Sequence, residues 1–293
     1  LHNSIFVVNE EPYCIWEVDL LGRNMEFLNG IDVEYFDYAI KVHLEAEDEK
    51  RASIALRTAL HHAIETLFSL LGAYTQAPDC AYAWIAKCSN KDLREFVAKV
   101  SGLRNSLFTK LAIEKVSWED LAKSVFHSYQ PETDRNKSNV KLFASLWNRL
   151  AHEYVDQNHV DEYNSLKHGF RVRSGGFALA IGLQHEYGVP APEGEMQLIG
   201  QSDFGTSFIR IEPIGNGKGN RNLRSRRTSV NWKIEQVALL AQLVSMSINN
   251  VVTALKIANG AKSGTCKFLR PQEDTDFEKP WQYTPGVTSC NMD

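Results

Sequence analysis

Apolar residues recur at steps of three and four positions over much of the chain before residue 172, and this spacing predicts amphipathic helices. The longest such pattern runs from residue 48 to 74 and has Gly72 near its expected end. Shorter patterns follow, and two of them have a residue at the start that can cap a helix. The shorter predicted helices span residues 81–87, 90–100, 117–129 and 140–154, with Asn90 and Ser117 as the expected caps.

The spacing of apolar residues changes beyond Arg171. Residues 175–183 alternate large apolar side chains with alanine and glycine, which is typical of a half-buried strand. Residues 205–214 and 221–232 predict two more strands. A long helix follows at 233–258, and because it is apolar over most of its circumference it predicts either a buried helix or a subunit interface.

These patterns predict an α+β fold: a mostly helical bundle with an inserted three-stranded antiparallel β-meander. We expect the bundle to span residues 31–172 and to be completed by the helix at 233–258, with the small sheet at 174–232. Residues 1–30 mix short apolar runs with turn signals and predict an irregular or strand-like lead-in. Residues 260–293 contain three prolines and little periodicity, which predicts an extended or partly disordered tail.

Composition narrows the class of protein. The 293 residues carry a net charge of -4, which argues against a protein built wholly to coat nucleic acid or an anionic membrane but leaves room for a local basic patch. The five cysteines are scattered without a C-x-x-C pair, which predicts reduced thiols. We therefore expect a cytoplasmic protein, with no membrane segment and no signal peptide.

Candidate chemistry begins with a motif that occurs twice, as Trp147-Asn148-x-x-x-His152 and Tyr163-Asn164-x-x-x-His168. On a helix over residues 140–154, steps of 100° place Asn148 and His152 on the side opposite the apolar stripe. An asparagine one turn before a histidine can hold the imidazole for proton transfer or ligand binding. The alternative is that a polar helix face simply carries polar residues. The predicted apolar stripe consists of Phe143, Leu146, Trp147, Leu150 and Tyr154.

The second copy of the motif ends in a cluster of basic residues. Gly169 is a natural residue for the end of a helix, and Lys167, His168, Arg171 and Arg173 gather around that end, where they could form an anion site. His168 could instead serve only to stabilise the helix C-terminus. Because the chain between the two motifs looks like a break, the two Asn/His pairs could fold back to share one cleft.

The last predicted strand is rich in arginine. Alternation places Arg224 and Arg226 on one face with Thr228, Val230 and Trp232, and it places Arg227 on the other face. With Lys218 in the preceding loop, such a strand could grip phosphate or RNA. The alternative is an exposed edge strand that is charged to prevent aggregation.

The segment Leu146–Tyr154, LWNRLAHEY, resembles the R-N-x-x-x-H signature of the HEPN superfamily of helical-bundle proteins. The matching residues are Leu146, Asn148, Leu150, Ala151, His152 and Tyr154. The resemblance implies a bundle of four or more helices that is often dimeric. Active members are metal-independent ribonucleases whose arginine and histidine meet at the dimer cleft, whereas others only bind. Trp147 stands where the family has its arginine, which suits a binding member better.

Three functions therefore stay open. The first is a HEPN-like binding protein, expected to be a homo-oligomer, that engages RNA or another phosphate-bearing ligand without a cofactor. Its expected ligand-binding residues are Asn164, Lys167, His168, Arg171, Arg224 and Arg226. The second is a metal-independent endoribonuclease that uses Asn148 and His152. The third is an interaction protein that assembles through the helix at 233–258. No metal site is expected, because His61 and Glu65 would need further ligands from elsewhere.

Overall fold

The computed structural model describes residues 1–102, 116–127, 133–215 and 221–292. They form a mixed α+β fold with antiparallel sheets. The chain divides into two compact units, and each unit is assembled from three separate segments. Unit 1 consists of Leu1–Ala39, Leu60–Asp156 and Ala241–Phe277, and unit 2 of Ile40–Ala59, Gln157–Leu240 and Glu278–Asp293.

The helices between residues 49 and 155, and the helix at 234–258, lie close to where apolar spacing predicts them. The described helices are α1 Leu20–Gly30, α2 Tyr35–Leu44, α3 Glu49–Gln76, α4 Ala81–Lys87, α5 Asn90–Val100, α6 Trp118–Phe126, α7 Asp134–Val155, α8 Gln157–Lys167 and α9 Ile234–Ala258. The described strands are β1 His2–Val8, β2 Glu11–Glu17, β3 Val172–Ser174, β4 Ala178–Ile181, β5 Gln197–Gln201, β6 Phe204–Pro213, β7 Leu223–Trp232 and β8 Ser289–Met292.

Local capping explains where two helices of unit 1 begin. Ser117 caps α6 as predicted, and its hydroxyl accepts a hydrogen bond from the Asp120 N–H at 3.2 Å. The cap of α5 is Ser89 and not Asn90, so that prediction is wrong by one residue. Ser89 is the N-cap because Asp92, three residues later, accepts a hydrogen bond from the Ser89 N–H and completes a capping box.

Tryptophan side chains fill the core of unit 1. Trp84 is fully buried, and its ring lies so close to Gly72 that a Cβ on residue 72 would come within 2.2 Å of it. Gly72 lies near the end of α3, as predicted, but inside the helix, where the missing Cβ makes room for the ring. Trp147 is also fully buried, and its Nε1–H donates to the Ser247 hydroxyl at 3.1 Å.

Helix α9 is a core helix. It is long and apolar enough to cross a membrane by length and composition, but 78% of its most apolar window is buried inside the protein. Val244 and Val251 are fully buried, and no residue of α9 is among the exposed large apolar side chains of the described chain. The burial selects the first of the two predicted roles, a buried helix, over a subunit interface on α9.

Of the two predicted alternatives for residues 1–30, the strand-like lead-in holds for β1 and β2, whereas the irregular one is wrong. Strands β1 and β2 pair antiparallel across a two-residue turn, with Val8 opposite Glu11. Asn9 occupies the left-handed region of backbone space, with φ at 56°, which asparagine tolerates better than most residues. Its side chain donates to the Asp92 carbonyl at 3.0 Å, which holds the turn in unit 1. Helix α1 follows directly.

The main sheet of unit 2 has four strands in the order β3-β6-β7-β8. The predicted three-stranded meander is correct in its β6–β7 hairpin, where Phe204 lies opposite Trp232. It is wrong in its first strand, because β4 pairs with β5 in a separate two-stranded sheet. The places beside the hairpin are taken by β3 and β8, which are too short to show an alternating pattern.

A buried ion pair supports the sheet in unit 2. Glu162 on α8 is fully buried, and its carboxylate accepts hydrogen bonds from Arg57, the shorter at 2.8 Å. The Thr206 hydroxyl on β6 donates to the same carboxylate at 2.7 Å. The Arg57 guanidinium also lies 5.3 Å from the centre of the Trp232 ring, within cation–π range.

The chain after α9 is extended but packed. Asn250 of α9 clamps the backbone of Leu269, donating to its carbonyl and accepting from its N–H, both at 2.7 Å. Arg270 donates to Asn139 of α7, and the buried ring of Phe277 packs edge-on against Phe143 at 4.9 Å. These described residues of the predicted tail are held by specific contacts, and its last described residues form strand β8.

Candidate functional site

The exposed side of α7 carries the first predicted site. The predicted apolar stripe of this helix is buried, and Asn148 and His152 lie exposed on the opposite side. Neither side chain forms a hydrogen bond with any described residue, so the expected bond from Asn148 to the imidazole is not made. Both groups are therefore open to solvent in unit 1 and free to contact a ligand.

The residue beside this pair departs from the HEPN signature in structure as well as in sequence. Trp147 occupies the position of the family's arginine, and it points into the core. Arg149, the neighbouring basic residue, is half-buried and already interacts within the protein. The α7 site thus presents an imidazole and an amide without an exposed arginine from the same motif.

The second predicted cluster lies at the end of α8 in unit 2. The break expected between the motifs is real, since α7 ends at Val155 and α8 begins at Gln157. Gly169 has a φ of 85°, as the prediction of a helix end requires, and Phe170 follows with a φ of 50°. Lys167, His168 and Arg171 are all exposed around this turn, and Asn164 is half-buried one turn earlier.

Arg224 and Arg226 lie together on β7, but their positive charges are already paired with a carboxylate. Glu212 on β6 sits 3.1 Å from the Arg224 guanidinium and 3.5 Å from that of Arg226. Arg210 joins the same face, where it forms an ion pair with Asp161 at 2.8 Å. This face carries three arginines and two carboxylates. Its positive electrostatic potential therefore attracts a phosphate much more weakly than that of a purely basic strand would.

The opposite face of the same sheet has a different charge pattern. Strand register places Arg173 of β3 beside Ser207, and it places Arg227 of β7 opposite Ile209. Both arginines are exposed and form no ion pair or hydrogen bond with any described residue. Because side chains of paired residues share a face, the described strands contribute no Asp or Glu to it.

Arg173 and Arg227 form what we call the basic surface of unit 2. Lys167, His168 and Arg171 come from the end of α8 and the turn that leads into β3, and the chain has no Asp or Glu from residue 163 to 185. Strand spacing places the Cα atoms of Arg173 and Arg227 roughly 12 Å apart. The surface therefore presents two guanidinium groups at a spacing that suits a ligand with more than one phosphate.

The sequence does not predict that Arg173 and Arg227 lie on the same sheet face. Alternation alone turns Arg227 away from Arg224 and Arg226, and it gives no sign of the strand β3 that brings Arg173 to the same face. The absence of acidic residues around Arg173 is the one available signal. Lys218, the expected loop lysine, lies outside the described residues.

Other chemistry finds less support in the described part of the chain. No group of three or more His, Cys, Asp or Glu side chains there is placed to hold a metal ion. His61 is fully buried in α3 and interacts within the protein. The chain matches no protein-family model, no curated protein and no solved structure, so the resemblance to HEPN proteins rests on the α7 motif alone.

Proposed function

We propose that the protein is an intracellular, HEPN-like binding protein that engages RNA or another phosphate-bearing ligand through the basic surface of unit 2. One observation carries the proposal: Arg173 and Arg227 are exposed on a sheet face without carboxylates from the described strands, while Arg224 and Arg226 face Glu212. An arginine without an acidic partner can give both edges of its guanidinium to a phosphate.

The net charge of -4 agrees with a local interface of this kind. A protein that coats nucleic acid non-specifically is basic over most of its surface, whereas here Arg173 and Arg227 share one sheet face to which the described strands contribute no carboxylate. Phe170, in the turn between α8 and β3, is 63% exposed, and an exposed ring can stack on an unpaired base. We therefore favour single-stranded RNA as the first ligand to test.

The helices of unit 1 form the HEPN-like bundle in this proposal, and the protein acts as a homo-oligomer. Asn148 and His152 then form a second contact area, on the exposed side of α7. A second candidate function, metal-independent endoribonuclease activity, is favoured by the exposure of His152 and its freedom from partners among the described residues. In that case His152 would act as a general acid or base.

Salt-dependent RNA binding tests the leading proposal. We expect filter binding of single-stranded RNA to weaken as salt rises, because binding to phosphates releases counterions. In R173Q and R227Q the slope of log affinity against log salt should fall by about 0.7 for each phosphate that the variant no longer neutralises. The matched controls are R224Q and R226Q, whose arginines are paired with Glu212 and should matter less. Equal effects in all four variants, or no binding by the wild type, would remove the proposal.

The ribonuclease candidate has its own readout. It predicts RNA cleavage that continues in EDTA and is lost in H152A, while H185A, which changes an exposed histidine of unit 2 outside the expected binding residues, keeps full activity. Cleavage that persists in H152A would assign the activity to another group. Protein that binds RNA but never cleaves it supports the binding function alone.

A further inference from the structure

The outer face of the β1–β2 hairpin in unit 1 is apolar and uncovered. The register pairs Asn3 with Trp16 and Ile5 with Cys14, and alternation places these four side chains on the same face. Ile5 is 75% exposed and Trp16 is 62% exposed. The other face carries Phe6, which is buried, so the hairpin has apolar side chains on both sides.

Two more exposed apolar side chains follow the hairpin in the chain. Val18, two residues after Trp16, is 71% exposed, and Leu21 in the first turn of α1 is 55% exposed. Side chains of this size and exposure present on the order of 400–600 Å² of apolar surface, which is at the upper limit of what monomeric proteins leave uncovered. Such a surface calls for a partner.

We infer that this face packs against the same face of a second copy of the chain, forming a two-fold dimer. The outer face of the hairpin carries no Asp, Glu, Lys or Arg, so two copies can meet without facing like charges. A two-fold contact requires one self-complementary patch, and an uncharged apolar patch meets that requirement. Trp16 would supply the central aromatic anchor that interfaces favour.

Other partners fit this face less well. An anionic membrane would need basic residues around the patch, and Arg23, the nearest on α1, is engaged by Glu17 and Glu26. A standard interface buries about 800 Å² per partner, so the patch would account for more than half of one side. The inference does not depend on the proposed RNA ligand, because the basic surface belongs to the other unit.

The mass of the protein over a concentration series tests the inference. We expect sedimentation velocity to show a dimer, and we expect W16S and I5S each to weaken it by about tenfold or more, as the loss of an interface anchor does. The control is Y187S, which removes a fully exposed aromatic of unit 2 and should leave the dimer intact. A monomer at every concentration, or a dimer unchanged in both hairpin variants, would overturn the inference.

Cross-linking gives a second readout that needs no apolar substitution. Cys14 lies on the proposed interface and is exposed, so a short bis-maleimide should join two copies, and C14S should prevent it. Burial, and then the neighbouring Asp79 carboxylate, raise the pKa of the Cys80 thiol to about 12, and this thiol competes little. Cross-linking that persists in C14S places the contact elsewhere. RNA binding by the same samples is measured separately, because the dimer inference and the RNA-binding proposal can each be wrong without the other.

Discussion

Glu162 shows how much one residue can decide in this protein. Its carboxylate is fully buried, and hydrogen bonds from Arg57 and Thr206 help to make it compatible with the core of unit 2. Arg57 comes from a chain segment about a hundred residues earlier, so no local pattern could have indicated the pair. Along the chain, Arg57 is simply one helical turn before His61.

Removing Arg57 should therefore be costly. We expect R57M to lower the free energy of unfolding by about 3–5 kcal/mol, because it leaves a buried carboxylate without its counter-charge. The double variant R57M/E162L should recover much of that loss, since neither charge remains to be desolvated. Chemical denaturation measures both.

A surface pair provides the control for this experiment. Arg51 and Asp48 form an ion pair at 3.0 Å in the same unit, but the Arg51 side chain is 90% exposed. R51M should change stability by less than about 1 kcal/mol. Similar losses of stability in R51M and R57M would show that the burial of Glu162 does not determine the cost.

Among the helices and strands, the elements that are predicted well are those whose signals lie within a few residues. Helix α4 begins and ends where expected, between the break at Pro78 and Ser89. The exposure of Asn148 and His152 follows from helical geometry alone. Strand β3 is not predicted, because three residues are too few to show alternation. The surroundings of Arg227 are not predicted either, because they depend on how β3, β6 and β7 pair.

The capping box of α6 should matter in a pH-dependent way. Hydrogen bonds from the Ser117 side chain and backbone lower the pKa of Asp120 below its usual 3.8. A carboxylate with a lowered pKa adds stability above pH 3.8, and this contribution is lost as the pH falls through the pKa of the folded state. We expect S117A to cost about 1 kcal/mol at neutral pH.

The difference between S117A and the wild type should shrink as the pH falls from 3.8 through the lowered pKa of Asp120, because Asp120 becomes protonated over that range and then bonds less strongly to its cap. Thermal unfolding across this pH range measures it. S145A, on the exposed side of α7, removes a hydroxyl without any cap and should show no such dependence. A constant difference from pH 7 to pH 3 would assign the S117A effect to something other than the capping box.

At the scale of the whole molecule, each unit is discontinuous in sequence. Unit 2 needs Arg57 from before residue 60 and strand β8 from after residue 288, and α3 and α9 each contribute residues to both units. Apolar spacing predicts the elements but not this division, because spacing describes neighbours along the chain and not the partners that they find in space. The expected domains at 31–172 and 174–232 do not coincide with either unit.

A fragment experiment tests the dependence of unit 2 on its distant segments. Residues 157–240 expressed alone should remain unfolded, because Glu162 then lacks Arg57 and β7 lacks its neighbour β8. Nuclear magnetic resonance should show narrow amide dispersion. Linking residues 40–59 and 278–293 to this fragment should restore dispersion. A well-dispersed spectrum from the short fragment would contradict this prediction.

The position of β8 also has a consequence for the protein as it is made. Asn231 holds the backbone of Phe177 through two hydrogen bonds and also donates to the Val287 carbonyl, and β7 receives β8 as its outer neighbour. On the ribosome, residues 40–59 emerge long before these partners exist. The nascent chain must therefore carry apolar segments of unit 2 without their final contacts until the segment around residue 290 is free, and during that interval it depends on chaperones more than a protein built from consecutive domains.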